Sequence, residues 1–431
     1  MSMTSKSSKR SAVTLGYGMQ KYRFDFDAEQ FAILAPDDCE AEPLTDVDLD
    51  RALNKPINSP LLEEIIEKHE KVLIVVPDAT RAAGVERLVP LLLRRLSEHG
   101  LMDSQISVLV GGGIHRPPTA EEIRRILSED VARRLAVHSH DANDEKWLVE
   151  LGVTSRGTRV ELNRRLLETD HLIMVGAISF HYFAGFSGGR KAVLPGCAAE
   201  RTIRANHLLS FDVEKLEKRT GVASGLLEGN AVHEDILEGV SMLNPPFLVN
   251  TVLNSANEIV AVYAGHWRDA HRKGCAEYNS AHAVPVASRR PLVLVSCGGS
   301  PRDINLIQSH KALEHASGVL ERGGVMIALA ECPQGLGRKD FLEWFVSGGS
   351  RATALKLLQA YQINGQTAWG LRQKAEKFRI LLVSSLDPEV VRRMGLEPHS
   401  SLESALAELT ARPGYLIPNG LTTLPYLNGR N

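Results

Sequence analysis

Lys71-Val-Leu-Ile-Val-Val-Pro-Asp78 is a run of aliphatic, mostly β-branched residues closed by a carboxylate. That content and length predict a strand buried on both faces. Residues 84–98 (GVERLVPLLLRRLSE) follow with apolar residues at helical spacing and Gly100 as the stop. A second buried strand is predicted at 105–114 (QISVLVGGGI), running into glycines. TAEEIRRIL then opens with Thr119 as N-cap and Glu122 three positions on, a capping box. A further strand is expected at 171–177 (HLIMVGA). Strand and helix in alternation argue for a parallel, helix-covered sheet, the α/β class. In such sheets ligands bind beyond the carboxyl ends of the strands. Asp78, His115 and His181 all fall at or just beyond predicted strand ends, and that coincidence marks the candidate site.

The pattern restarts after a polar stretch, 278–290, which reads as a linker, so a second α/β domain is expected from about residue 284. Its strands are predicted at 291–299, 323–330 and 379–385, with helices at 304–321, about 339–377, and from Ser401. A chain of 431 residues is too long for one core, which agrees with two domains. Residues 1–12 (MSMTSKSSKRSA) read as a disordered tail, because no apolar segment makes them a signal peptide. The net charge of −2 gives no global electrostatic case for nucleic acid or a membrane surface as partner. No apolar run reaches membrane-spanning length. Cysteines 39, 197, 275, 297 and 332 lack Cys-x-x-Cys spacing and read as reduced thiols of a cytoplasmic protein.

The densest chemistry lies in His181-Tyr-Phe-Ala-Gly-Phe-Ser-Gly-Gly-Arg-Lys191, with His207 sixteen residues on. Small residues let a backbone approach an anionic cofactor, Arg190 offers charge, and Lys191 an amine for covalent attachment. His207, on a helix expected at 198–208, offers a metal ligand. The segment is neither a P-loop nor a dinucleotide fingerprint, since GxxxxGK[ST] and a strand-following GxGxxG are both absent. Each group also has a plainer reading. Asp78-Ala-Thr-Arg81 serves equally as a helix N-cap with a solvated arginine, or as a carboxylate clamp through Arg81. Gly111–His115 serves as a tight turn, or as a turn presenting an acid/base histidine paired with His181. Gln308 and Lys311 share one helix face, which is exposed polar surface or a binding face.

Taken together, DATR (78–81), GIHRP (113–117), HYFAGFSGGRKAVLPG (181–196), RTIRANH (201–207), the glycines, proline and aspartate of 298–303, QSHK (308–311) and IPNGL (417–421) resemble the nickel-dependent lactate racemase family over nearly the whole chain. The resemblance implies two α/β domains with the site in their cleft. It assigns 13–283 plus a returning tail, 415–431, to the cofactor-binding domain and 284–414 to the other. It implies a nickel-pincer nucleotide, a pyridinium-3-thioamide-5-thiocarboxylic acid mononucleotide holding nickel. Lys191 would join it through the thioamide and His207 would ligate the metal. Asp78, Thr80, Gly188 and Gly189 would lie at the cofactor. His115 and His181 would be the paired catalytic bases, and Arg81, Gln308 and Lys311 would hold the substrate.

The implied reaction is racemisation or epimerisation of a 2-hydroxy acid by hydride transfer from Cα and return to the opposite face. The partners implied are that small acid and, transiently, the enzymes that build the cofactor. Pocket-wall positions depart from the lactate-acting pattern: Ala82 follows the arginine, Ile307 precedes Gln308, and Gln366 stands where a tryptophan is expected, with Trp369 three places on. Lactate, or a larger or more polar acid including a sugar acid, is therefore expected. Two other classes stay open at this point. One is a metal-dependent hydrolase using His115, His181 and His207, although no HExxH pattern accompanies them. The other is a non-catalytic carboxylate-binding homologue, which leaves Lys191 and His207 without a task.

Overall fold

Residues 10–36, 41–243, 247–409 and 412–429 are described by the structure, a computed structural model. The chain starts with a hairpin of β1 (Arg10–Tyr17) and β2 (Gln20–Asp27), followed by a short strand β3 (Phe31–Ile33). Arg10–Ala12, expected in a disordered tail, instead open β1 and pair with Asp25–Asp27; residues 1–9 and Cys39 lie outside the described residues. The hairpin is held because Leu15, Tyr17, Phe26 and Phe31 join one buried cluster with Leu294, Ile327 and Leu416.

The chain divides into two units. One comprises residues 38–212 and 218–280 and is built on strands β4 (Val72–Pro77), β5 (Ile106–Gly111), β6 (Ala136–Ser139), β7 (His171–Ala177), β8 (Phe247–Leu253) and β9 (Ile259–Gly265). Their spatial order is β9-β8-β7-β4-β5-β6, parallel throughout except for the antiparallel β8–β9 pair. Val72 through Val76 are buried on both faces, as the continuous apolar run requires. Helix α1 (Val85–His99) lays Leu88, Leu92 and Leu96 onto this sheet and ends at Gly100, whose φ of +113° suits only glycine. Thr119 and Glu122 form the expected capping box at α2 (Ala120–Leu127).

Strand order decides where ligands bind. From β4 the chain moves to β5 and β6 on one side, then returns to place β7 on the other side of β4. The β4–β7 boundary is thus the topological switch point, where the loops leaving two adjacent strands part and open a crevice at their carboxyl ends. Those loops carry Asp78–Arg81 and residues 178–191.

The other unit holds β10 (Arg290–Ser296), β11 (Leu320–Leu329), β12 (Arg379–Val383), β13 (Glu397–His399) and β14 (Gly414–Ile417). Their order is β13-β12-β11-β10-β14-β3, all parallel. Three expectations are corrected here. The tail does not rejoin the first sheet: Tyr415, Leu416 and Ile417 are buried between β10 and β3, and Leu424–Leu427 pairs with Ala283–Val286. Residues 278–290 are no linker, because a helix (Asp269–His282) runs directly into that strand and the units divide at 280/281. Residues 13–36, assigned to the cofactor-binding domain, join the second unit instead, because β3 extends its sheet and Leu15, Phe26 and Phe31 bury in its core; the helices expected at about 339–377 are present as a 3-10 turn, Phe341–Trp344, and helices Gly349–Gln359 and Ile363–Lys377. Among the described residues no helix is long and apolar enough to cross a membrane.

These elements predict a graded mutational response. Ile74→Ala, which empties space in β4, should lower the unfolding free energy by about 2–5 kcal/mol. Thr119→Ala, which removes only a cap, should cost about 0.5–2 kcal/mol. Urea denaturation of the two variants checks the order; a larger loss at Thr119 would contradict the packing described.

Candidate active site at the switch point

Asp78 is the first residue after β4 and is buried. Its Oδ1 accepts from the backbone N–H (3.1 Å) and hydroxyl (2.6 Å) of Thr80, and its Oδ2 lies 2.7 Å from Nδ1 of His115. Burial pushes the carboxyl upward, but the bonds from His115 and Thr80 outweigh it and hold the pKa below the ordinary value. Asp78 is therefore an ionised anchor for His115, whose side chain stays about half exposed. Arg81, one turn on, is exposed; its charge is felt at both Asp78 and His207.

Three glycines bring His115 to the neighbouring loop. A Cβ at Gly111 would stand 3.0 Å from the Ala192 carbonyl oxygen, and one at Gly113 would stand 3.3 Å from that of Pro195. Gly113 also has φ +56° and donates its N–H to the Gly196 carbonyl at 2.8 Å. A side chain at Gly111 or Gly113 would press the β5 loop against the segment that carries Lys191, and one at Gly112 would press on Asp78.

Phe183 is the common surface of that segment. Its buried ring meets the His181 ring edge-on at 4.4 Å and the His207 ring at 4.8 Å, and the Lys191 ammonium lies 5.6 Å from its centroid. His181 also stacks on Tyr182 and accepts the Ala184 N–H at Nδ1, 3.2 Å away. His207 projects from α3 (Glu200–Leu208), which is locked to α4 (Ala231–Ser241) where Asn206 Nδ2 donates to Asp235 Oδ2 at 2.8 Å. Burial, then the charges of Lys191 and Arg81, push the His207 pKa down to about 3, so the imidazole is neutral at physiological pH.

One sequence reading changes. Arg190 does not offer its charge to a ligand. It is fully buried and donates to His233 Nδ1 (2.9 Å), His271 Nε2 (2.8 Å) and the carbonyls of Ala184 (3.0 Å) and Phe186 (3.1 Å). Burial lowers its pKa to about 10, which still leaves it charged at neutral pH. Gly188 and Gly189 make their close approach to protein. A Cβ at Gly188 would stand 2.8 Å from Asn250 Oδ1, and that same oxygen takes the Gly189 N–H at 2.8 Å. The Gly189 N–H is thus committed to β8. His233, His271 and Asn250 carried no sequence signal as site residues: each is one ordinary residue in an amphipathic or apolar segment. Phe183 lies inside the quoted 181–191 segment, but nothing in the sequence marked its ring as the surface on which the others meet.

Gln308 and Lys311 lie in the second unit, on α5 (Leu306–Ser317), with Asn305 capping the helix at the Gln308 N–H. Lys311 donates to Gln308 Oε1 at 2.7 Å, so the two act as one polar group. The histidine-only metal site is not borne out. Among the described residues the one set of three ligand-type side chains within metal-binding range is Glu397, His399 and Glu408. Arg379 already bonds both of those carboxylates.

The fold and this geometry define a class: an α/β protein of two mainly parallel sheets, with imidazoles, an amine and a guanidinium gathered at the first sheet's switch point. Residues 17–218 match the lactate racemase N-terminal domain and residues 287–421 the lactate racemase C-terminal domain. The chain is 33% identical over 336 residues to the lactate racemase of Thermoanaerobacterium thermosaccharolyticum, covering 77% of each protein. It is 31% identical over 388 residues to that of Lactiplantibacillus plantarum, covering 86% of this chain and 89% of the relative. The structure of the T. thermosaccharolyticum apoprotein superposes with a TM-score of 0.87 at 28% identity, over 96% of this chain and all of that one. A Thermotoga maritima protein shares the fold at a TM-score of 0.65 and 21% identity, over 90% of this chain and all of that one. The chain belongs to the lactate racemase family.

The buried histidines predict acid sensitivity. His233 is pushed down to about 2 by burial, then by Arg190; His271 is also held well below its ordinary value by burial and Arg190. The unfolded chain takes up these protons as pH drops through about 6.5, while the folded chain resists them. Stability should therefore be full above pH 6.5 and fall below it, by up to about 1.4 kcal/mol per pH unit for each such histidine. Urea titrations of the cofactor-free chain between pH 7.5 and 4.5 check this; a flat profile would contradict neutral burial.

Proposed function

We propose that this chain racemises or epimerises a 2-hydroxy acid by moving the Cα hydrogen as hydride, with a nickel-pincer nucleotide joined to Lys191. The observation that carries the reading is the meeting of His181, Lys191 and His207 on Phe183, beside the Asp78–His115 pair, in a chain whose relatives are named lactate racemases. The residues fit such a group. Lys191 offers an amine beside an apolar ring, and His207 is a buried neutral imidazole, the form that ligates a metal. When bound, the cofactor supplies a hydride acceptor.

The chain's own groups supply the rest. His115 and His181 handle the hydroxyl proton, with Asp78 orienting His115 and Thr80 orienting Asp78. Arg81 holds the substrate carboxylate, since a guanidinium makes two parallel bonds to it. Gln308 and Lys311 hold further polar groups of the substrate. Gly188 and Gly189 shape the loop that presents Lys191. Two observations favour a larger or more polar acid than lactate: Gln366 is buried with its amide oxygen accepting from the Tyr361 hydroxyl, and Ile307 precedes Gln308. Activity with enantiopure lactate, malate, phenyllactate and gluconate tests this, and lactate as clearly the best substrate would refute it.

Covalent attachment is tested by mass. Protein from a host that makes the cofactor should carry an adduct that Lys191→Ala lacks, while His207→Ala should keep the adduct and lose nickel. An adduct surviving in Lys191→Ala would overturn the assignment.

Hydride transfer is tested by isotope. Turnover in D2O should leave Cα largely free of solvent deuterium, because the hydrogen returns to the carbon it left. His115→Ala and His181→Ala should each slow turnover by about 10²–10⁴-fold. Full deuteration of Cα at the rate of racemisation would sink the mechanism.

A further inference from the structure

The cap and first turns of α4 reach three parts of the candidate site through three different residues. Asn230, the cap, is fully buried. Its Oδ1 accepts the N–H groups of Val232 (3.1 Å) and His233 (3.3 Å), and its Nδ2 donates to the carbonyls of Phe183 and Leu226, each at 3.0 Å. His233 Nδ1 accepts from Nε of Arg190, the residue before Lys191, at 2.9 Å. Asp235 is fully buried, and its Oδ2 accepts from Nδ2 of Asn206, the residue before His207, at 2.8 Å. Asn206 Nδ2 also donates to the Val232 carbonyl at 3.1 Å, so both its hydrogens go to α4. Residues two apart on a helix point about 200° apart, which puts His233 and Asp235 on opposite flanks. The helix is a wedge between the segment ending at Lys191 and the helix carrying His207. Asp235 meets only neutral donors: Oδ1 accepts the Thr154 hydroxyl at 2.5 Å, and no cation bonds either oxygen among the described residues. Burying a carboxyl in this way costs desolvation that an apolar side chain would avoid. What the carboxyl adds is acceptance on two sides at once, toward Thr154 and toward α3.

We infer, on the reading proposed above, that α4 sets the spacing between the amine that joins the cofactor and the imidazole that ligates its metal. His233 is the positioning residue for Lys191, acting through Arg190. Asp235 is the positioning residue for His207, acting through Asn206. Asn230 holds the backbone of Phe183, whose ring is where the amine and the imidazole meet, 5.6 Å and 4.8 Å from its centroid. A group held at two points is bound tightly only where both points are fixed beforehand, and side chains become fixed through the partners behind them. The two tasks are separable. Each rests on its own flank of the helix, so the loss of one bond leaves the other in place.

The experiment reads attachment and metal separately, in full-length protein from a host that makes the cofactor. Intact mass gives the fraction carrying the adduct, and competition with a chelator gives the affinity for nickel. Asp235→Ala should keep the adduct and lower nickel affinity about 10–100-fold, the usual cost of losing a group that orients a metal ligand. Asp235→Asn, whose amide oxygen still accepts from Asn206, should recover most of that loss. His233→Leu should instead lower the adduct fraction, with nickel falling only in proportion, and His233→Asn, whose Oδ1 takes the place of Nδ1, should restore it. Adduct and nickel lost in step in Asp235→Ala, or either variant loading like wild type, overturns the inference. Circular dichroism checks that each variant is folded; Asn206→Ser, which breaks the same bond from α3, replaces Asp235→Ala where that variant is not. The cofactor-free chain gives an independent reading. In NMR spectra of histidine-labelled protein, with His207→Gln assigning the ring, the His207 signal should shift in Asp235→Ala and move far less in His233→Leu. A fixed signal in Asp235→Ala overturns the inference whether or not any cofactor loads. Failure of the racemase reading appears separately, as wild type that carries neither adduct nor nickel.

Discussion

A charged guanidinium buried without a carboxylate holds the candidate site together. Arg190 costs desolvation energy that no single ion pair offsets; four acceptors share the task instead. Two of them, the Ala184 and Phe186 carbonyls, belong to the loop that also carries His181 and Phe183. The other two are His233 and His271, which must stay neutral to accept. The same residue therefore fixes the loop, keeps two distant helices in register with it, and precedes Lys191 directly in sequence. A lysine there would keep the charge but lose the planar fork that reaches four acceptors at once.

The sheet gives this clamp its setting. β4, β5 and β7 are buried on both faces and cannot shift without exposing their apolar residues, so their carboxyl ends form a fixed frame. Glycines at 111–113, 176 and 188–189 then let loops lie against that frame at distances that would crowd a Cβ, most severely at Gly188. His115 and Lys191 are 76 positions apart in the chain, yet the loops that carry them pack backbone to backbone. Within a single loop the polar partners are short-range by comparison: Thr80 orients Asp78 from two residues away, and Ala184 orients His181 from three.

Legibility followed range. The strands at 72–77, 106–111 and 171–177, the stop at Gly100 and the capping box at Thr119 were all readable, because each depends on side chains within a few positions. The partition of the chain was not. Residues 10–17 look polar and solvated, but pairing with β2 satisfies their backbone and Leu15 and Tyr17 bury against strands nearly 300 residues away. The tail went to the second sheet for the same reason: β14 fits between β10 and β3, two strands at opposite ends of the sequence. Nothing local distinguishes that pairing from a return to the first sheet.

The candidate residues themselves were written in the chain. Asp78, Arg81, His115, His181 and Lys191 are chemically distinctive and fall at strand ends or in a glycine-rich segment, and parallel sheets place such positions together; His207 comes to them from a helix. What only the tertiary structure decided is what each of them is bonded to. Arg190 and Lys191 are adjacent cations in the sequence; one is sealed among histidines and carbonyls while the other lies over an aromatic ring. His115 and His181 are the same side chain; one faces a carboxylate and the other an amide N–H. Hydrogen-bond polarity is set by the partner across space, and a one-dimensional pattern carries the residue but not the direction of its proton.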